Sequence, residues 1–370
     1  MIPLASPDIR DSDIALCNQV IQSGQLVQGK QVEAFEKSLC KFAGFGNCAA
    51  VTSGTAALHL ALKAVGITYG DSVIVADFTF TATANVVENL GANCVFCDVD
   101  KYSYVITAKI FEQFLTQDKA KNCKALLIVH EFGYPAEIQR ICQLANKAGL
   151  RVIEDAACAL GSIADEQHVG YYSDAACFSF HPRKAITCGE GGAVLSRDAE
   201  FIKKIKILRN HGITATASGI DFSEAGLNYR LTDFQAALAL GQLQRFTHEL
   251  ERRQQLANLY ANQLANTPHI TLPQAQAGHS WQSYMLSLDR QVNRTTLIQQ
   301  LIDAGIQTNL GAQAIHRLDY YQQKYAHAQD DYPNASHLYD QGLVLPLYGK
   351  LSNEQIIFIA ATLHGLLCDV

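Results

Sequence analysis

Along the first two hundred or so residues, short and almost unbroken apolar runs alternate with segments whose apolar positions return every third or fourth residue. The runs at 49–51, 73–76, 94–98, 125–130, 152–155, 175–180 and 193–195 predict strands, and their lack of polar alternation predicts burial on both faces. The segments 11–23, 32–42, 56–66, 82–90, 108–115 and 137–148 carry the helical period. Asp11 or Ser12 is expected to cap the first of these, and Gly24 to end it. Strands alternating with helices predict an α/β fold, with a large domain built on a mostly parallel seven-stranded sheet flanked by helices. After residue 195 a helix carries Lys203, Lys204, Lys206 and Arg209 on what reads as a solvated face.

From residue 234 the helical pattern runs without a break to about 265, where Asn266-Thr267-Pro268 stops it, and Thr232 or Asp233 is placed to cap it. At a rise of ~1.5 Å per residue such a helix is about 50 Å long, which suits a bridge between domains. Strands at 283–288 and 306–310 and helices at 294–304 and 352–366 then predict a small C-terminal α/β domain. The expected division is therefore 1–232, 233–265 and 266–370.

Composition narrows the classes. Of the 370 residues 48% are hydrophobic and 17% charged, the latter below the usual ~25%, so part of the surface is expected to be hidden in an oligomer. A formal net charge of −6 offers no footprint for nucleic acid or an anionic membrane. The N-terminal stretch lacks the basic and apolar regions of a secretory signal, and no uncharged apolar run reaches about eighteen residues, so a cytoplasmic protein is expected. Eleven cysteines, an odd number scattered through apolar segments, read as reduced core thiols. Cys94-Val95-Phe96-Cys97 matches C-x-x-C but has no second pair at metal-site spacing, and no metal is expected.

The candidate chemistry centres on Cys177–Val194, CFSFHPRKAITCGEGGAV, where Lys184 sits at a bend between two strands. Partial burial there disfavours the ammonium and leaves an amine able to form an imine with a carbonyl; an ordinary solvated lysine is the alternative. Upstream, Asp155 ends an apolar strand, where a carboxylate can hold the proton on a cofactor ring nitrogen or merely cap the next helix. Ser53-Gly54-Thr55 joins a strand to a helix, and free amides at a helix N-terminus can seat a phosphate or simply be capped. Phe80, just beyond a strand's carboxyl end, can lie on an aromatic ring or pack in the core. No G-x-G-x-x-G follows the first strand and no G-x-x-x-x-G-K-[ST] occurs, so nicotinamide and nucleoside-triphosphate readings lack their loops.

Taken together, SGQLVQG, TSGTAALHLAL, FTFTATANVVENLGA, EDAACALGS, FSFHPRKAITCGEGGAV, LRNHG and NYRLTDFQAALALGQL make the chain resemble the DegT/DnrJ/EryC1/StrS sugar aminotransferases, which have the pyridoxal-phosphate-transferase fold of type I. The resemblance covers about residues 2–366. It implies pyridoxal 5'-phosphate attached through Lys184, with Asp155 at its ring nitrogen and Phe80 stacked on the ring. Gly54, Thr55, the Ala56 amide and Ser179 would hold the phosphate. Asn228 would reach the phosphate of the neighbouring subunit, making a homodimer obligatory. Tyr229, His316 and the loop 24–29 are implied on the sugar or nucleotide side, with a surface histidine as the alternative at 316. Cys158 stands where many members have Gln or His, and a thiol replaces poorly what an amide does there; packing alone is the expectation. The implied reaction moves the amino group of L-glutamate to a nucleotide-linked 4-keto-6-deoxyhexose, dTDP-linked in preference to UDP or GDP, for surface polysaccharide such as the O-antigen of lipopolysaccharide. IQTNLGAQAIH looks more like the segment of C4-aminating than of C3-aminating members. A sugar dehydrase would lack Lys184, a lyase of the same fold would lack SGQLVQG, and a non-catalytic regulator would have a damaged site.

Overall fold

The computed structural model describes residues 1–217 and 219–368. Seven strands form the central sheet in the order Asn47–Val51, Gly192–Ser196, Ala175–Ser179, Arg151–Asp155, Cys123–Val129, Ser72–Ala76 and Asn93–Cys97. Gly192–Ser196 runs antiparallel to both neighbours, and the other pairings are parallel. Helices cover both faces: α1 (Asp11–Ser23), α2 (Lys30–Ala43), α3 (Gly54–Ala64), α4 (Thr81–Asn89), α5 (Ala108–Leu115), α6 (Ile138–Lys147) and α7 (Ala199–Leu208). Successive strand residues feed opposite cores, as a period of two requires: Ala175 and Cys177 join one cluster, Ala176 and Phe178 the other. The first core packs against α3 to α6, the second against α2 and the next helix, α8 (Asp233–Leu243).

The bridging helix is a correction. It is broken into α8 and α9 (Phe246–Leu264), with Arg245 outside the helical region at φ −111° and ψ 6°. The cause is tertiary. The Arg245 guanidinium donates to both carboxylate oxygens of Asp13 at 2.8 and 2.6 Å and to the carbonyls of Asp8 and Gly241 at 2.5 and 2.8 Å, tying the break to α1. Asp13, not Asp11 or Ser12, closes the start of α1, accepting the Arg10 amide at 2.9 Å. Asp233 leaves the capping of α8 to Thr232 and Gln235 and accepts the amides of Gly29, Gln31 and Val32, so it anchors the start of α2.

A third core gathers α9, α10 (Arg294–Asp303) and a three-stranded antiparallel sheet, Ile270–Thr271, Tyr284–Leu288 and Gly342–Leu345. The expected strand at 306–310 is instead two isolated bridges, Ile306 to Ile2 and Asn309 to Val344, because the segment changes partners midway. Among the elements that escaped the sequence pattern are α11 (Asp319–Tyr325), α12 (Pro333–Gln341) and the hairpin Ile213–Thr216 with Gly219–Phe222. Ala314, Ile315, Tyr321, Tyr332 and Leu338 pack into the first core, so chain beyond residue 265 is shared between cores. The last helix, α13 (Asn353–Cys368), closes the third core. No helix among the described residues is long and apolar enough to cross a membrane.

Candidate active site

Parallel strands end together, and here their carboxyl ends bring the candidate groups to one place. Asp155, the last residue of its strand, is 6% exposed. Its Oδ2 accepts the Thr83 hydroxyl at 2.7 Å and its Oδ1 the Ala157 amide at 3.1 Å. Burial pushes this carboxyl above the usual range, while Thr83, the Ala157 amide, Lys184 and His130 pull against it.

Lys184 lies beyond the strand Ala175–Ser179, on a turn closed by its own amide to the His181 carbonyl at 2.8 Å. Two glutamines fix that turn from other elements. Gln282 accepts the Ala185 amide at 2.9 Å and donates to the Arg183 carbonyl at 2.6 Å. Gln242, on α8, binds both backbone groups of Thr187, at 3.0 and 2.6 Å. The lysine Nζ donates to Cys158 Sγ at 2.9 Å, so Cys158 does more than pack. Burial works against the ammonium, as the sequence suggested, but the Cys158 contact and the carboxyls of Glu131 and Asp155 outweigh it and Lys184 is held above its ordinary range. The expectation of a neutral amine is thus corrected. Burial also raises the Cys158 thiol, while Lys184 pulls it the other way.

Gly54 opens α3 against Ser179: a Cβ at Gly54 would stand 2.8 Å from the Ser179 Cβ. That close approach brings Gly54, Thr55, Ala56 and Ser179 together at a helix N-terminus. The Ala56 amide donates to the Ser53 hydroxyl at 3.1 Å, while Thr55 is exposed. Phe80 precedes α4, three residues before Thr83, and its side chain is 64% exposed.

The remaining candidates lie further out. Asn228 is exposed and bridged through its backbone to Asn210. The Tyr229 carbonyl accepts the Thr52 amide at 3.0 Å, and its hydroxyl meets His59 Nδ1 at 3.4 Å. His316 is not a surface histidine. It is buried, with Nδ1 at 2.6 Å from Asp77 Oδ2 and Nε2 at 3.1 Å from the Gln329 carbonyl, because the buried Asp77 demands a partner. Four participants escaped the sequence reading: Thr83, Gln242, Gln282 and Glu131. Glu131 alone carried a signal, being, like Asp155, an acid just beyond an apolar strand.

The model of the DegT/DnrJ/EryC1/StrS aminotransferase family matches residues 7–364. The spore coat polysaccharide biosynthesis protein SpsC of Bacillus subtilis is 34% identical over 370 residues, 96% of this chain and 94% of that protein. Helicobacter pylori PseC, an aminotransferase involved in the biosynthesis of pseudoaminic acid, superposes with a TM-score of 0.93 at 27% identity, covering 100% of both chains. A PLP-form structure described as a sugar aminotransferase of Streptococcus pneumoniae gives 0.92 at 26%, covering 100% of this chain and 99% of that one. The donor set fits that cofactor: a primary amine, a buried carboxyl across from it, a helix N-terminus with a hydroxyl on each side, and an aromatic ring left open.

Proposed function

Because the chain belongs to the DegT/DnrJ/EryC1/StrS aminotransferase family, we infer that it transfers the amino group of L-glutamate to C4 of a nucleotide-linked 4-keto-6-deoxyhexose, with dTDP the favoured nucleotide. Pyridoxal 5'-phosphate is the cofactor of the family, and when bound it supplies an electron sink for the carbon whose C–N bond is exchanged. The observation that carries the reading is the convergence of Lys184 and Asp155 in one buried site.

Each residue then has a task set by its surroundings. Lys184 is the group that attaches the cofactor and, once free, holds and moves the proton between substrate and cofactor carbons. Asp155, oriented by Thr83 and the Ala157 amide, presents negative charge for a protonated ring nitrogen. The N-terminus of α3, with Gly54, Thr55, Ala56 and Ser179, would hold the phosphate, and Phe80 would cover the ring. Tyr229, His316 and the loop 24–29 belong to the sugar or nucleotide side. Asn228 would complete the site of a second copy. Leu227 and Phe234 flank it in sequence and are exposed, as are Leu26, Val27, Ile220 and Phe222, which supports a homodimer through this region. Nucleotide sugars place the enzyme in the cytoplasm, at the start of surface-polysaccharide synthesis.

The test incubates the protein with L-glutamate and dTDP-, UDP- and GDP-linked 3- and 4-keto sugars and identifies products by mass spectrometry and NMR. A 4-amino dTDP sugar is the expected product; a 3-amino sugar or another nucleotide reassigns the acceptor. If glutamate bleaches the cofactor but no keto sugar reacts, the acceptor class is wrong. Lys184→Ala should abolish borohydride-trapped attachment of the cofactor altogether; a tag trapped on another lysine would overturn the assignment of Lys184.

A further inference from the structure

The turns that carry Glu131, Cys158 and Lys184 follow three neighbouring strands, and one short segment from the third core is bonded to all of them. That segment, residues 280–282, leads into the strand Tyr284–Leu288. After Cys123–Val129, the Phe132 carbonyl accepts the Gln282 amide at 2.9 Å and the Gly133 carbonyl the Ser280 amide at 3.2 Å. After Arg151–Asp155, the Ser280 hydroxyl stands 2.8 Å from that of Ser162 and 3.5 Å from the Cys158 carbonyl. After Ala175–Ser179, the Gln282 carboxamide accepts the Ala185 amide at 2.9 Å and donates to the Arg183 carbonyl at 2.6 Å. These last two are the peptide groups on either side of Lys184. One offers a donor and the other an acceptor, so a single orientation of the amide satisfies both. Gln282 is 8% exposed, and its own carbonyl accepts Arg253 Nη1 at 3.3 Å. That buried arginine also donates to the Trp281 and Leu347 carbonyls and pairs with Glu249 at 2.9 Å. The carboxamide is thus presented from a fixed base, not from a loop free to follow the lysine.

We propose that Gln282 is a positioning residue for the amino transfer: by gripping both peptide groups beside Lys184, it fixes where the amine stands when it takes up the cofactor and when it moves the proton. The lysine amine ends a long flexible stem whose starting direction is set by the peptide planes on either side of its Cα. Turning those planes displaces the far end of the stem more than the backbone, and a shift of ~1 Å at a reacting atom can cost about a hundredfold in rate. The contact of Nζ with Cys158 Sγ at 2.9 Å spans two of the turns that the segment joins, so it depends on the same anchor. Gln242 holds Thr187 further along the turn and leaves the lysine's own peptide groups to Gln282. Gln282 acts through Lys184. The inference rests on Lys184 being the reactive amine, but not on the identity of the sugar or of the amino donor.

The experiment adds pyridoxal 5'-phosphate to cofactor-free protein and follows its attachment, trapped with borohydride and mapped to residue 184. The loaded protein is then mixed with L-glutamate and the bleaching rate recorded. Gln282→Leu removes both hydrogen bonds. Attachment should slow about tenfold or more, and bleaching at saturating L-glutamate should fall by about 10- to 100-fold with little change in the half-saturating concentration. Gln282→Glu gives a readout that packing alone would not. Protonated, the introduced carboxyl has the acceptor and the donor that the amide had; ionised, it has acceptors only and opposes the Arg183 carbonyl. Burial favours its neutral form, while Arg253 and Lys184 favour the charged one. Relative to the parent at each pH, its attachment rate should be near equal in acid and fall about tenfold as the infrared band of the protonated carboxyl disappears. This comparison is made within one folded protein and does not depend on Gln282→Leu folding. Parent-like attachment in folded Gln282→Leu, or ionisation of the introduced carboxyl with no matching fall in rate, overturns the proposal. A tag trapped on another lysine would sink the Lys184 assignment and this proposal with it. Failure of every keto sugar to react would leave these results standing and sink only the acceptor assignment.

Discussion

Asp155 depends for its charge on a hydroxyl seventy-two positions earlier in the chain. Thr83 is one of two hydrogen-bond donors on a carboxylate that burial drives toward the neutral form. Thr83→Val keeps the shape and removes the donor, so Asp155 should protonate more readily and lose the charge a pyridinium requires. Loss of a hydrogen bond to a buried charged group costs about 1–3 kcal/mol. Cofactor affinity, measured by absorbance titration, should weaken about tenfold or more while the melting temperature without cofactor changes little. Thr83 was invisible in the sequence because threonine in a helix is common and its partner is distant in the chain. Asp155 and Lys184 were legible because an acid ending an apolar strand and a lysine in a glycine-bounded turn are unusual placements. Glu131 had the first of these marks as well. The proton state of Lys184 was misread because the turn shows that the lysine is half-buried but not that two buried carboxyls face it.

Helices and strands were read well wherever one element packs along its whole length against one neighbour. The Ala108–Leu115 helix has the predicted bounds, and the strands of the central sheet fall within a few residues of the apolar runs. The errors occur where one side chain decides for an element it does not belong to. Arg245 breaks a helix with no Pro nearby because Asp13 of α1 and Asp8 just before it hold the guanidinium. Asp233 looks like a cap for its own helix and instead holds α2. With 5% exposure and three backbone amides at 2.8 to 3.2 Å, its carboxylate is what starts α2 and ends the loop 24–29. Asp233→Ala should therefore cost about 2 kcal/mol in urea unfolding and open the loop to limited proteolysis, with Asp233→Asn losing less because one oxygen remains. Equal losses in the two variants would mean that packing, not the amide bonds, fixes the loop.

At the scale of the whole molecule, buried titrating groups of opposite tendency set the response to acid. His168 is held neutral between the Gly161 amide at 3.0 Å and the Val169 carbonyl at 2.8 Å, and burial takes it to about 4. His279, stacked on Trp281 with ring centroids 3.9 Å apart, is taken by burial to about 3. Both bind protons more readily unfolded than folded. Their contribution is complete above the ordinary value of about 6.5 and is lost as pH falls through and below it, roughly 3 kcal/mol for each by pH 4. Glu131 runs the other way. Its carboxyl is raised from 4.5 to about 7, so its contribution is complete below the unfolded value and is lost as pH rises through about 7. Between pH 7 and 4.5 it gains up to about 3 kcal/mol, offsetting roughly half of what the two histidines lose. Cofactor-free protein should accordingly lose stability only gradually over that range in urea titrations. Glu131→Gln removes the offset: its stability should equal or exceed the parent's at about pH 8 and fall more steeply toward about pH 4.5. His168→Gln should flatten the same limb. Parallel curves for parent and Glu131→Gln would show that the carboxyl titrates alike in the folded and unfolded chains.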